Sequence, residues 1–125
     1  MKILLSIKPE YVERILDGSK RFEFRKGAFK NDKVSSVVIY ATMPVGMVVG
    51  EFEIEEVISD VPSTVWELTC QFAGISKDFF DSYFAGREKA VAIGIGNVKK
   101  YEKPLPLHVL GEGITAPQSY RYLSV

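Results

Sequence analysis

The chain has 125 residues, of which 46% are hydrophobic, so it is long enough to bury a core as a single domain over 1–125. Its 16 Lys and Arg residues balance its 16 Asp and Glu residues, and a net charge of zero argues against a generic nucleic-acid binder that relies on excess positive charge. A single cysteine, Cys70, excludes an internal disulfide. With no apolar run of membrane-spanning length and no signal peptide, these features favour a cytoplasmic protein that does not contact a membrane.

The first half of the chain shows one helical pattern among several strand patterns. In chain order it predicts a strand over Lys2–Ile7, a helix over 9–17, a strand from about Arg21 to Lys26, a basic loop to Lys33, and a hairpin of strands 34–42 and 47–58. Pro9 suits the first turn of the helix, and Gly18 suits the left-handed residue that ends it. Gly50 interrupts the last strand and predicts a bend or bulge there.

The second half predicts a helical pair followed by two strands. The helices cover about 63–74 and 77–85, the strands cover 90–98 and 118–123, and a short helix or strand end lies at 107–110. Ser76 is the expected N-cap of the second helix, and Pro104 and Pro106 are expected to break the strand pattern. The aromatic stripe of that helix is interpreted as core rather than as a cofactor site: Phe79, Phe80, Tyr83 and Phe84.

Two glycines lie on one face of the predicted strand 90–98. Gly94 and Gly96 are two residues apart, which lets another element approach closely, and we expect that element to be a packed helix rather than a ligand. They do not form a dinucleotide-binding motif, because neither a third glycine nor a helix follows.

The segment Gly18–Arg25 concentrates charge at the end of the first helix. Its alternation points Phe22 and Phe24 to one face of a strand and Arg21, Glu23 and Arg25 to the other, with Lys20 at the mouth. One acid and several bases backed by two aromatic rings suit a small polar ligand or a phosphate. A solvated strand face without a ligand is the alternative, since exposed ion pairs contribute under about 1 kcal/mol each.

Four segments of the chain resemble the ASCH domains, a branch of the PUA-like superfamily. They are the motif Gly18-x-Lys20-x-x-Glu23-x-Arg25 and the segments Ser6–Tyr11, Tyr40–Pro44 and Ala116–Arg121. The resemblance implies an α+β fold, in which a small, partly closed, mostly antiparallel β-barrel carries flanking helices. It also implies a cleft near the motif that receives RNA or a modified nucleoside.

Residues from both ends of the chain are candidates for that cleft. Residues 1–33 and 89–125 carry excess positive charge and residues 51–88 carry excess negative charge, so ends that meet in the fold would form a basic patch. The candidate cations for phosphate are Lys8, Lys20, Arg25 and Arg121. Tyr40 or Tyr120 would stack on a base. We expect an ion pair to hold Glu23 in position.

Catalysis, if present, would rest on lysine and carboxylate chemistry. One histidine, His108, and one cysteine give no zinc-binding spacing and no catalytic triad, and no phosphate-binding loop is present, so we predict no metal and no cofactor. Lys20 is the candidate base if its pKa is lowered, and Glu23 or Glu51 would orient it or move a proton.

A specific enzymatic alternative comes from ASCH relatives that remove an acyl group from N4-acylated cytidine. Their motif lysine falls on Lys20, but their threonine nucleophile falls on Glu23, which argues against that activity here. Thr42 is the nearby hydroxyl that would have to replace it. Three functions therefore stay open from sequence: an RNA- or nucleoside-binding module, a small hydrolase acting on nucleoside amides or as a ribonuclease, and a protein-interaction or regulatory domain.

Overall fold

A computed structural model describes residues 1–123 of the chain. The helices and strands are β1 (Lys2–Ile7), α1 (Pro9–Asp17), β2 (Phe22–Arg25), β3 (Ser36–Ala41), β4 (Met47–Asp60), α2 (Pro62–Thr69), α3 (Lys77–Tyr83), β5 (Ala90–Leu105) and β6 (Arg121–Leu123), with short 3-10 helices at Cys70–Phe72 and Leu107–Leu110. The helical pair is shorter than the sequence predicts, because a 3-10 turn replaces the end of the first helix.

The six strands form one mixed sheet in the order β2-β5-β4-β3-β1-β6. Among the strands that the structure describes, β1 and β3 are the parallel pair, and the other neighbouring pairs are antiparallel. Over residues 1–123 the sheet is not closed, because its edge strands, β2 and β6, do not pair with each other there. The predicted α+β fold, with a mostly antiparallel, partly closed sheet and flanking helices, is confirmed, although "barrel" overstates its closure.

The long strands β4 and β5 are irregular where their glycine and proline residues lie. The register passes from Ile39 opposite Gly50 to Tyr40 opposite Val48, which confirms the predicted irregularity at Gly50. The predicted end of β5 before Pro104 is wrong. Residues 101–104 fall in a register shift between β4 and β5, and Pro104 therefore removes no regular ladder hydrogen bond.

The element that approaches Gly94 and Gly96 is strand β4, so the expectation of a packed helix is wrong. A Cβ on Gly94 would lie 2.9 Å from the Glu56 Cγ, and one on Gly96 would lie 3.1 Å from the Glu53 carbonyl oxygen. The two glycines therefore allow close approach of β4 and β5.

Helix α1 follows its sequence signals closely. Pro9 lies in its first turn, Gly18 ends it with φ 87°, and Val12 and Ile15 are its buried residues. They pack against the apolar residues of β1 and β3. Of the helices that the structure describes within residues 1–123, none is long and apolar enough to cross a membrane.

Helix α3 divides its aromatic side chains between the core and the surface. The Ser76 hydroxyl oxygen accepts a hydrogen bond from the Phe79 N–H at 3.1 Å, as its N-cap role predicts. Phe80 and Phe84 are buried against Phe24 of β2, whereas Phe79 is 37% exposed. Interpreting the whole stripe as core is therefore wrong for Phe79.

Candidate functional site

A cavity of about 190 Å³ opens between β1, β2, α1 and α3. Its walls come from Ser6–Lys8, from Tyr11, from the motif segment and from residues 75–83. It brings together Lys8, Lys20, Glu23 and Arg25, four of the residues that the sequence proposes for a ligand site.

Lys20 is buried against the cavity rather than at its mouth, where the sequence pattern predicts it. Its side chain is 1% exposed, and its Nζ donates a hydrogen bond to the Ala73 carbonyl oxygen at 2.7 Å. The rings of Phe24 and Tyr11 have their centroids 4.9 and 5.4 Å from Nζ. Burial lowers the pKa of Lys20 to about 8, against the opposing effect of the Glu23 carboxylate.

Arg25 fixes Glu23 and connects the edge strand β2 to β1 and to the segment before β6. Its Nε and Nη2 donate to the Glu23 Oε2 at 3.1 and 2.8 Å, so the predicted ion pair of Glu23 is present. Its Nη2 also donates to the Ser6 carbonyl oxygen in β1, and its Nη1 to the Ser119 carbonyl oxygen before β6. Four of the five guanidinium N–H groups point to these partners, so Arg25 acts mainly to position Glu23 and join the sheet edges.

The second carboxylate oxygen of Glu23 is available to a ligand. Within residues 1–123, both hydrogen bonds to this carboxylate go to Oε2. In that part of the chain, every fully buried side-chain oxygen has a hydrogen-bond partner. Oε1 has none there, so it is not fully buried. Glu23 lines the cavity, and Oε1 can therefore accept a hydrogen bond from a ligand N–H or O–H there.

Three aromatic residues that the sequence analysis did not propose form the cavity wall. Tyr11 and Phe79 meet edge to face with centroids 5.8 Å apart, and Phe79 and Tyr83 stack at 6.2 Å and 11°. Lys8 lies 5.7 Å from the Phe79 ring centroid, and Lys26 lies 4.8 Å from that of Tyr83. The sequence did contain a signal for this wall. Aromatic residues at 79, 80, 83 and 84 cover a wider face of the helix than one buried stripe needs, which indicates that some of them face away from the core.

The tyrosines proposed for base stacking lie outside this cavity. Tyr40 is 8% exposed and packs in a separate apolar cluster with Val48 and Leu4. Tyr120 packs against the ring of Phe29, with centroids 6.3 Å apart. Neither lines the cavity.

Three other candidates are also placed elsewhere. Glu51 accepts hydrogen bonds from the Lys2 Nζ at 2.9 Å and the Tyr101 hydroxyl at 2.6 Å, away from Lys20. Thr42 does not line the cavity, and its N–H donates to the Ile7 carbonyl oxygen. Arg121 is exposed on the edge strand β6 and does not line the cavity. The C-terminal segment reaches the cavity through the backbone instead, where the Ser6 hydroxyl donates to the Pro117 carbonyl oxygen at 2.8 Å.

The donor set of the cavity suits an anion or a polar ring better than a cation. Three basic side chains and one carboxylate surround it, and the carboxylate is paired with Arg25. Across residues 1–123, no three His, Cys, Asp or Glu side chains are close enough to hold a metal ion.

The family model for the ASCH domain matches residues 5–101. The chain is 30% identical over 123 residues to an ASCH domain-containing ribonuclease of Zymomonas mobilis, covering 96% of the chain and 82% of that protein. It is also 29% identical over 121 residues to the large ribosomal subunit protein uL22 of Ureaplasma parvum serovar 3. That match covers 97% of the chain but only 39% of the uL22 protein, so the chain spans less than half of this relative.

The fold agrees with solved structures. The crystal structure of ASCH from Zymomonas mobilis superposes with a TM-score of 0.91 at 28% identity, covering 98% of this chain and 87% of that one. The N-terminal domain of Staphylothermus marinus McrB, at 15% identity and a TM-score of 0.52, is similar in fold alone. With a family model that matches most of its length, the chain belongs to the ASCH domain family.

Proposed function

We propose that the cavity binds one nucleotide unit of an RNA, or a modified nucleoside. The observation that carries this proposal is the buried Lys20 ammonium beside the Glu23 carboxylate, at the base of a cavity with aromatic walls. Burying a charged side chain is costly, and Lys20 has one short protein hydrogen bond, to the Ala73 carbonyl oxygen. A ligand anion would supply the charge that the site lacks.

The parts of a nucleotide match the parts of the cavity. Lys20 and Lys8 would attract the phosphate, and the Glu23 Oε1 would accept an N–H of the base or a ribose hydroxyl. Tyr11 and Phe79 offer rings on which a base can stack. The volume is below the roughly 300–1,000 Å³ of pockets for drug-sized ligands, which favours a single nucleotide unit.

The relatives support RNA as the ligand class. The Zymomonas mobilis protein, which matches nearly the whole chain, is called a ribonuclease. A cytoplasmic location agrees with this proposal and stays a prediction from the cysteine content.

A second candidate function is RNA cleavage, and the pKa of Lys20 is the observation that favours it. With a pKa of about 8, about a tenth of the Lys20 side chains are neutral at pH 7 and can accept a proton. In such a reaction the Lys20 amine takes the proton of a ribose 2′-hydroxyl, the oxygen attacks the adjacent phosphorus, and the 5′-oxygen leaves with a proton from solvent. Removal of an acyl group through a threonine nucleophile has less support, because Glu23 is paired with Arg25 and Thr42 lies outside the cavity.

The test is a binding titration of a fluorescein-labelled single-stranded RNA of six A and C nucleotides. We expect Lys20→Met, which keeps the aliphatic stem, to weaken binding about 5- to 150-fold, the equivalent of about 1–3 kcal/mol for a charge-assisted hydrogen bond. Affinity should fall as salt rises, because bound phosphates release counterions. The matched control is Lys99→Met, an exposed lysine of β5 outside the cavity.

Equal weakening by both substitutions would mean diffuse electrostatic attraction rather than a site. No binding by the parent at low salt, to this RNA or to nucleosides, would contradict the proposal and favour a protein-interaction role. Product analysis of the same RNA after long incubation separates the two candidates: fragments that Lys20→Met does not produce would indicate cleavage.

A further inference from the structure

We propose that the ligand is a single-stranded chain rather than a free nucleotide, and that a neighbouring nucleotide stacks on Phe79 and Tyr83 where the cavity wall continues toward Lys26. This inference rests on the function proposed above and adds a second binding position. Its basis is the aromatic surface of α3, defined here as the rings of Phe79 and Tyr83 with Lys8 and Lys26 over them.

The aromatic surface is more exposed than the neighbouring rings of the same helix, although its Tyr83 is half-buried. Phe80 and Phe84 are 1% and 2% exposed, while Phe79 is 37% exposed. Phe79 and Tyr83 lie one helical turn apart with nearly parallel rings, at an interplanar angle of 11°. Such a surface matches the flat face of a nucleobase, and every base has that face irrespective of sequence.

A cation lies at each end of the aromatic surface. Lys8 is at the Phe79 end, where it also lines the cavity, and Lys26 is at the Tyr83 end, beyond the cavity lining. Both lysines are exposed, so a base that stacks on the rings can displace the ammonium groups toward its own flanking phosphates. The two charges thus suit the backbone of a strand that leaves the cavity and continues along α3.

Helix α3 carries two acidic residues, Asp78 in its first turn and Asp81, and an ion pair neutralises the one nearer Tyr83. Asp81, the acidic residue nearest Tyr83 in sequence, is paired with Lys77 at 2.7 Å. A double helix is excluded as the occupant, because its bases are stacked on each other and their faces are covered. The aromatic surface therefore fits an unpaired segment whose bases can turn outward.

The experiment compares Phe79→Ala with the same substitution at another exposed aromatic residue. Phe72 is 50% exposed in the 3-10 turn after α2 and does not line the cavity, so Phe72→Ala is the matched control. Each variant is titrated with the six-nucleotide RNA by fluorescence anisotropy, and with AMP and CMP by calorimetry. We expect Phe79→Ala to weaken binding of the RNA about tenfold more than binding of AMP and CMP. A mononucleotide contacts Phe79 only as a wall of the cavity, whereas the RNA also loses the stacking of its neighbouring base. Phe72→Ala should change neither.

Additional variants separate stacking from loss of structure. Phe79→Trp, which keeps a stacking surface, should preserve RNA affinity or increase it. Lys26→Met should make the salt dependence of RNA binding less steep without affecting AMP or CMP. A six-nucleotide DNA of the same sequence tests whether the ribose matters: DNA that binds as tightly as RNA and loses affinity equally with Phe79→Ala would still support a single-stranded ligand.

Two results would overturn the inference while leaving the proposed function intact. If Phe79→Ala weakens RNA and mononucleotides equally, Phe79 is only a wall of the single-nucleotide cavity. If it weakens neither while Lys20→Met weakens both, no second position exists. Failure of the proposed function would look different, because the parent would then bind neither the RNA nor AMP or CMP.

Discussion

Gly74 packs directly on the side-chain carbons of Lys20. A Cβ added to Gly74 would lie 2.4 Å from both Cβ and Cγ of Lys20, so only a glycine fits there. Gly74 also has φ +69°, a conformation that side chains rarely adopt. The turn at Ala73–Gly74 thereby brings the Ala73 carbonyl oxygen to the buried ammonium.

Gly74→Ala should destabilise the protein by more than backbone strain alone. We expect the free energy of unfolding to fall by about 2–4 kcal/mol, combining the left-handed conformation with an overpacked Lys20 stem. The control is Gly86→Ala, which has φ +76° but open space around the added Cβ, and should cost about 1 kcal/mol. Urea denaturation measures both values, and equal losses would show that the contact with Lys20 carries no cost.

The stability of the protein should rise between pH 8 and pH 10.5 because of Lys20. Its pKa is about 8 in the folded protein and near 10.5 in the unfolded chain, so across this interval the unfolded chain binds the extra proton. Below pH 8 both states are protonated and the cost of the buried charge is present in full. Above pH 10.5 that cost, about 3 kcal/mol, is gone.

The measurement is urea denaturation of the parent and Lys20→Met at several values of pH. Other groups titrate in the same interval, but they do so in both proteins, so the difference in unfolding free energy reports on Lys20. That difference should shift in favour of the parent by about 3 kcal/mol as pH increases from 8 to 10.5. A difference that stays constant would mean that Lys20 titrates normally.

The sequence predicts the strands and the motif side of the cavity because both depend on residues that are close together in the chain. Period-two alternation marks most of the six strands, and Lys20, Glu23 and Arg25 stay close in space because they are close in the chain. Tyr40 and Glu51 are different. They flank the bulge at Gly50, and the neighbours of their side chains depend on how the register shifts there.

The aromatic wall could not be predicted in the same way because it is assembled from distant segments. Tyr11 lies in α1 and Phe79 in α3, and 59 residues of chain lie between these two helices. Their rings meet because α1 and α3 pack side by side. The burial of Lys20 likewise depends on the turn at Ala73–Gly74, which a pattern local to the motif does not contain.

Arg25→Lys should loosen the edge of the sheet without removing the positive charge. The guanidinium reaches Glu23, the Ser6 carbonyl oxygen and the Ser119 carbonyl oxygen from three separate nitrogen atoms, whereas a lysine has one nitrogen from which to donate. We expect the free energy of unfolding to fall by about 2–3 kcal/mol, in keeping with lost hydrogen bonds to a charged group.

The local effect of this substitution should appear at β6, which among the strands described within residues 1–123 pairs with β1 alone. Amide hydrogen exchange of β6 should accelerate more than that of the central strands β3 and β4. The reason is the loss of the hydrogen bond from Arg25 in β2 to the Ser119 carbonyl oxygen, just before β6. The control is Arg121→Lys, which changes an exposed arginine of β6 itself and should leave exchange unchanged. If exchange at β6 is the same in Arg25→Lys and the parent, the hydrogen bonds of Arg25 hold Glu23 alone, and β6 is secured by its pairing with β1.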